Sequence, residues 1–261
     1  MMTRITSVIA QFTLLLSAVA VWFARGRRAT VFAIAVALTC ASAFATWRQA
    51  SFWSDSTSLW ERAYSLEPRS PTNLKSMGGL RSLASERTDD PARALALLGE
   101  AEAFYQRALA LDDDPEFLRS LSQVQSRMSA VDVEHSEQHL NNALDLSGRA
   151  LVLAQQKNVL VPEYRLDYGT DLLNVGRLDE GIEHLQWFVE MRPQSSRGLL
   201  NLGGALVLAG RAEEALAYLD RACALEPGDP RPWSELARAY ENLGRAQESA
   251  AAAAHAAQLS R

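Results

Sequence analysis

The chain opens with two uninterrupted apolar runs, ITSVIAQFTLLLSAVAVWFA at 5–24 and ATVFAIAVALTCASAFATW at 29–47. Neither contains a charge, and each is close to the ~20 residues that a helix needs to cross ~30 Å of hydrocarbon. The pattern predicts two spanning helices within residues 1–50. Arg25, Arg27 and Arg28 lie in the short loop between the runs, and clustered cations of this kind stay on the cytoplasmic face. Everything after Trp47 is therefore expected on the extracytoplasmic side of an inner or plasma membrane, with Trp22 and Trp47 at the interfaces. A cleavable signal ending at Ala41-Ser42-Ala43 is the rival reading, and the apolar run ahead of it argues against it.

Beyond residue 60 the apolar positions recur with a helical period instead. Alanine and leucine dominate while Val, Ile and Thr are sparse, which favours helix over strand. An all-α fold is expected. Pro193 and Pro227 stand 34 residues apart, and the text around them recurs. One copy holds Gly176-Arg177, Glu180-Gly181 and Pro193; the next holds Gly210-Arg211, Glu214-Ala215 and Pro227; a third holds Gly244-Arg245 and Glu248-Ser249. Within one copy Leu199, Leu202, Gly203 and Leu206 form a single apolar face, and Ala215, Leu219 and Ala222 face back across a turn. Gly210 is placed to end the first helix in a left-handed conformation, while Pro227, Gly228 and Pro230 stop the second. Such a hairpin cannot bury its apolar face alone and must stack on its neighbours.

Upstream the pattern is looser. Residues 73–86 read as a first helix, followed by a second around Ala101, Tyr105 and Ala108, with 87–91 lengthening the joint. Residues 117–128 and 136–155 read as another pair, with Ala143 and Ala150 at its small positions. The expected organisation is a two-helix transmembrane anchor at 1–50, a linking half-repeat at 51–70, looser hairpins at 71–161 and three regular units at 162–261. That makes about five units, with the alanine-rich 247–259 closing the stack.

The small and large positions and the 34-residue period at 162–261 resemble the tetratricopeptide repeat. The resemblance implies an α-solenoid of stacked hairpins whose first helices line a concave groove. Gly181 and Ser249 stand where that family usually has alanine, and Phe188 where it prefers a small residue; each is expected to weaken a packing contact. A second resemblance rests on the junction. Phe52-Trp53-Ser54-Asp55, then Leu59-Trp60, then Pro68 is similar to polytopic relatives of protein O-mannosyltransferases, in which a membrane glycosyltransferase domain precedes extracytoplasmic repeats. It covers roughly residues 30–261. That family's acidic catalytic residues belong to an earlier membrane portion, so none is carried over here.

The net charge of −5 carries mixed signs throughout, unlike the basic stripe that releases counterions from nucleic acid. Nucleic acid is not an expected partner. Cys40 and Cys223 are too few for a disulfide framework. His135 and His139 lie four apart, but no third ligand is evident, and a solvated charged helix face is the expectation. Gly78-Gly79 and Gly203-Gly204 lack the lysine and hydroxyl of a phosphate loop and read as close-packing positions. Asp112-Asp113-Asp114 ahead of Pro115 reads as a turn with a helix cap. No catalytic residue, cofactor or metal site is expected, and the chain is not read as an enzyme.

The groove is then the expected site. By the resemblance its lining is Glu163, Leu166, Thr170 and Leu173, then Arg197, Leu200, Asn201 and Val207, then Arg231, Ser234, Arg238 and Glu241. Arg197, Arg231 and Arg238 point to a partner segment carrying acidic side chains; the alternative for each is a solvated surface charge. The expected function is a membrane-anchored, non-catalytic scaffold that holds a protein or peptide. The alternatives are an accessory of a polytopic glycosyltransferase, or a structural component of an envelope-assembly or secretion system.

Overall fold

The computed structural model describes residues 37–42, 56–159 and 162–260. The chain divides into two compact units, Met1–Pro68 and Arg69–Arg261. In the first, residues 37–42 are helical and α1 spans Ser56–Leu66, stopping just short of Pro68. Among the described residues no helix is long and apolar enough to cross a membrane. The two apolar runs lie outside the described residues apart from 37–42, and the expected anchor, its arginine loop, Trp22, Trp47 and the junction residues 52–55 lie outside with them.

The second unit is helical throughout its described residues, with no strand among them. Its helices are α2 (Pro71–Ser85), α3 (Pro91–Leu109), α4 (Pro115–Val131), α5 (Ser136–Gln156), α6 (Pro162–Asn174), α7 (Leu178–Met191), α8 (Ser196–Leu208), α9 (Ala212–Leu225), α10 (Pro230–Asn242) and α11 (Ala246–Leu259). The same local chemistry starts several of them. Ser70, Asp90, Asp114 and Asp229 each cap a helix through their side chains, and each is followed by a proline at the first helical position. The cap satisfies a free backbone N–H, and the proline supplies a preset φ where no N–H is needed. Asp114 is thus the cap that the acidic run predicts.

The turns within the last three hairpins also repeat one geometry. Gly176, Gly210 and Gly244 have φ of +81°, +74° and +70°. Behind each, two backbone N–H groups reach back to close the preceding helix, as in Gly210 N to Val207 O at 3.1 Å and Arg211 N to Leu206 O at 2.8 Å. Asn158, with φ of +56°, ends α5 in the same way.

Helices pair as α2/α3, α4/α5, α6/α7, α8/α9 and α10/α11, and each second helix packs on the next first helix. Close approach is built from absent side chains. A Cβ on Gly203 would lie 2.5 Å from Leu219, and one on Gly78 would lie 2.8 Å from the Tyr105 ring. Both glycines are the packing positions that the sequence suggests. Gly181 corrects the expectation of a weakened contact: a Cβ there would stand 2.9 Å from the Gly169 carbonyl oxygen, so alanine would not fit. Phe188 corrects it as well, because its ring is 1% exposed and fills space that Gly198 leaves free. One continuous apolar core runs through the last three hairpins, from Leu166 to Ala252. Separate smaller clusters form around Leu98, Tyr105 and Val124 and around Leu118, Leu151 and Tyr164. The regular period therefore yields a shared core, and the looser region a broken one.

Candidate functional site

Successive first helices touch directly, α4 with α6, α6 with α8 and α8 with α10, whereas among the described residues second helices make no comparable contact with one another. The stack therefore draws together on its first-helix side, and polar side chains bridge the helices there. Lys75 of α2 pairs with Glu116 of α4 at 3.4 Å. Arg127 of α4 donates to the Ser82 hydroxyl at 2.9 Å and pairs with Glu86, the residue that ends α2. Between α6 and α8, Asn201 donates to the Thr170 hydroxyl at 3.0 Å.

The densest bridging surrounds α6. Asp167 is 6% exposed, and it accepts from Arg119 and Gln123 of α4 and from Arg197 of α8, the last at 2.7 Å. Asp171, one turn on, is 5% exposed and accepts from Ser122 at 2.7 Å and Ser126 at 3.0 Å. Burial pushes the Asp171 carboxyl above the ordinary carboxylate range; hydrogen bonds from Ser122, Ser147 and Ser126 pull against that, and Asp167 adds to the rise. Burial works against the charge on Arg119, but the contact and hydrogen bond with Asp167 outweigh it, so the guanidinium is held charged. Burial, followed by Glu116 and Asp114, pushes the Tyr164 phenol up to about 12.

These groups wall a groove of about 350 Å³ lined by Ser122, Gln123, Ser126, Arg127, Asp167, Thr170, Asp171, Asn174 and Arg197. Its carboxylates have donors already, so what it offers to a visitor is mainly the unused N–H groups of Arg127 and Arg197 and the Asn174 amide. A larger groove of about 710 Å³ runs along α5, lined mostly by that helix with Leu118, Asp113 and Tyr168.

Residues 166–230 and 206–258 each match a model of the tetratricopeptide repeat. The last three hairpins, which span those residues, are similar to tetratricopeptide repeats. Among solved structures, TTC0263, a thermophilic TPR protein of Thermus thermophilus, is similar at 22% identity with a TM-score of 0.54, over 73% of this chain and 91% of that one. A MamA crystal structure is similar at 16% identity with a TM-score of 0.53, over 72% and 91%. A second MamA structure, AMB-1, aligns at 22% identity with a TM-score of 0.50, over 72% and 97%. These are likenesses of fold. No curated protein matches the sequence.

In this stack of hairpins the expected lining residues separate into groups. Thr170 and Arg197 reach the α4–α6–α8 groove, and Asn201 bonds to Thr170 beside it. Leu166 and Val207 do not line it: they are 1% and 3% exposed and belong to the shared core. Leu173 and Leu200 are half-buried against that core, while Glu163 is half-buried at the start of α6. Arg231, Ser234, Arg238 and Glu241 are exposed on α10, outside this groove. The three arginines are not bare cations. Arg197 pairs with Asp167, Arg231 with its own cap Asp229 at 2.7 Å, and Arg238 with Glu235 at 2.9 Å.

The residues that the sequence does not single out are Arg119, Ser122, Gln123, Ser126, Arg127, Asp167, Asp171 and Asn174. Their one signal is Asp167 and Asp171, polar residues four apart on a first helix. His139 also departs from expectation, because it is partly buried with Nδ1 2.7 Å from Gln125 Oε1, while His135 is exposed beside Asp132. Among the described residues no group of three His, Cys, Asp or Glu side chains is placed to hold a metal ion.

Proposed function

We propose that the chain is a non-catalytic adaptor: its N-terminal apolar runs anchor it in a membrane, and its hairpins, on the extracytoplasmic side, hold an acidic segment of a partner protein. The observation that carries this reading is the groove between α4, α6 and α8, whose unused donors belong to Arg127, Arg197 and Asn174. Guanidinium groups grip carboxylates through paired, charge-assisted hydrogen bonds, and a stack of hairpins presents an extended surface suited to a chain. The lining carboxylates are engaged by the protein's own side chains, which argues for holding a ligand over transforming one.

A second reading, resting on the sequence pattern of Trp53, Leu59-Trp60 and Pro68 at the junction, is an accessory role beside a polytopic glycosyltransferase. The two readings separate on what is captured. Crosslinking at Arg197, Arg231 and Arg238 in intact membranes, read by mass spectrometry, should yield an acidic partner segment that arginine-to-glutamate changes release. Capture unaltered by those changes would refute the groove assignment, and a polytopic glycosyltransferase as the main adduct would favour the second reading. Orientation is tested with a cysteine introduced at Arg69, which an impermeant reagent should label from outside.

A further inference from the structure

Asp167 and Asp171 sit one helical turn apart on α6, and both wall the same groove. Their surroundings differ in kind. Asp167 is flanked by two guanidiniums, Arg119 and Arg197, whereas Asp171 has no ion pair among the described residues and is served by serine hydroxyls alone. A buried carboxylate given only neutral donors is costly in its charged form, and it sheds that cost by taking a proton. The lining charges make this consequential. With both carboxylates ionised, Arg127 and Arg197 balance Asp167 and Asp171; a proton on Asp171 leaves the groove with one excess positive charge.

We propose that this groove is a proton-linked site for an acidic side chain, in which Asp171 is protonated as the anionic group is seated. This rests on the reading of the groove as a holder of acidic segments, and adds how that grip is regulated. An incoming carboxylate close to an ionised Asp171 would meet like-charge repulsion in a partly desolvated site, and protonation removes it. Linkage then requires the grip to tighten as pH falls toward the Asp171 transition.

Other groups around α6 do not supply the same effect. From α4 come the guanidiniums of Arg119 and Arg127, and Glu116, which pairs with Lys75 and Arg119. α5 contributes the Ser147 hydroxyl, and α8 contributes Arg197. α7 contributes His184, whose ring meets Tyr168 edge-on at 5.0 Å. Burial, then Arg165, holds its imidazole below the ordinary range. His184 gains charge on acidification too, so the Asp171 variant is what tells the two apart.

The test uses a fluorescent hexaglutamate peptide and the full chain in detergent micelles, with affinity read by anisotropy at about pH 7.5 and about pH 5, where free glutamate side chains are still largely ionised. The wild-type chain should bind on the order of tenfold more tightly at the lower pH. Asp171→Asn should bind at both pH values about as tightly as wild type does in acid. Calorimetry of the wild-type chain in buffers of different ionisation enthalpy should show proton uptake on binding, and needs no variant. Equal pH slopes in the two proteins, or no proton uptake, would overturn the linkage while leaving the acidic-ligand reading intact. No binding to wild type at either pH would overturn both.

Discussion

The Phe188 ring occupies the space that a side chain on Gly198 would need, its Cδ1 standing 2.6 Å from where a Cβ would be. A large residue on α7 is thus matched by a missing one on α8, and the shared core keeps its density where the repeat pattern is broken. Gly198→Ala should destabilise the unit by about 1–3 kcal/mol through overpacking, and Phe188→Ala by about 3–5 kcal/mol through the cavity it leaves. The pair should not be additive: in the double variant the methyl group added at position 198 finds room, and urea melts should return a coupling of about 1–3 kcal/mol. Additive costs would mean that the two residues do not share one space.

Asp167 ties α4, α6 and α8 together, so removing it strands partly buried guanidiniums. Asp167→Ala should cost about 2 kcal/mol in chemical denaturation. The contrast is Glu180, which forms an exposed bidentate pair with Arg177 at the surface turn; Glu180→Ala should leave the unfolding midpoint unchanged.

Asp171 should give stability an unusual pH dependence. Its folded-state carboxyl is raised above the unfolded value, so its contribution is fully present below the unfolded pKa and is lost as pH rises through the folded one. Relative to Asp171→Asn, the wild-type chain should therefore be more stable at about pH 3, below the unfolded aspartate value, than at about pH 7.5. A difference that is constant with pH would contradict the assigned environment.

Gly210 adopts φ of +74° with open space where a Cβ would stand, so only backbone conformation resists a side chain there. Gly210→Ala should cost about 1 kcal/mol. Asn158→Gly, in the left-handed turn that joins α5 to the next hairpin, should be neutral or slightly stabilising in the same melts.

The hairpins are legible in the sequence because their determinants are local. Proline, glycine and small residues at fixed offsets mark α6 to α11, and the looser first helices at 73–86 and 117–128 coincide with α2 and α4. Even the Phe188 exception has its answer in the sequence, ten residues on at Gly198, but only the packed structure pairs them. The groove is less legible because its contacts join residues distant in sequence. Arg119 and Asp167 are 48 apart and come from helices in adjacent hairpins, a register that apolar periodicity does not reveal. Arg197 reads as a bare cation because its partner lies 30 residues back; in a stack with a 34-residue period that offset is one helical turn from a direct neighbour. Leu166 and Val207 fall in the core and not in the groove because, on an apolar first helix, the two faces differ by a single residue's rotation.

If the first-helix side of the stack is the side that holds a partner, a crosslinker there should capture what one on the opposite side does not. A photoreactive residue is placed at Asn174, in the groove, and in a separate protein at Glu190, exposed on α7, and the adducts formed in intact membranes are compared. Position 174 should give a discrete partner adduct that is lost with Arg197→Glu and absent from position 190. The same adduct from position 190, or none from position 174, would contradict this assignment.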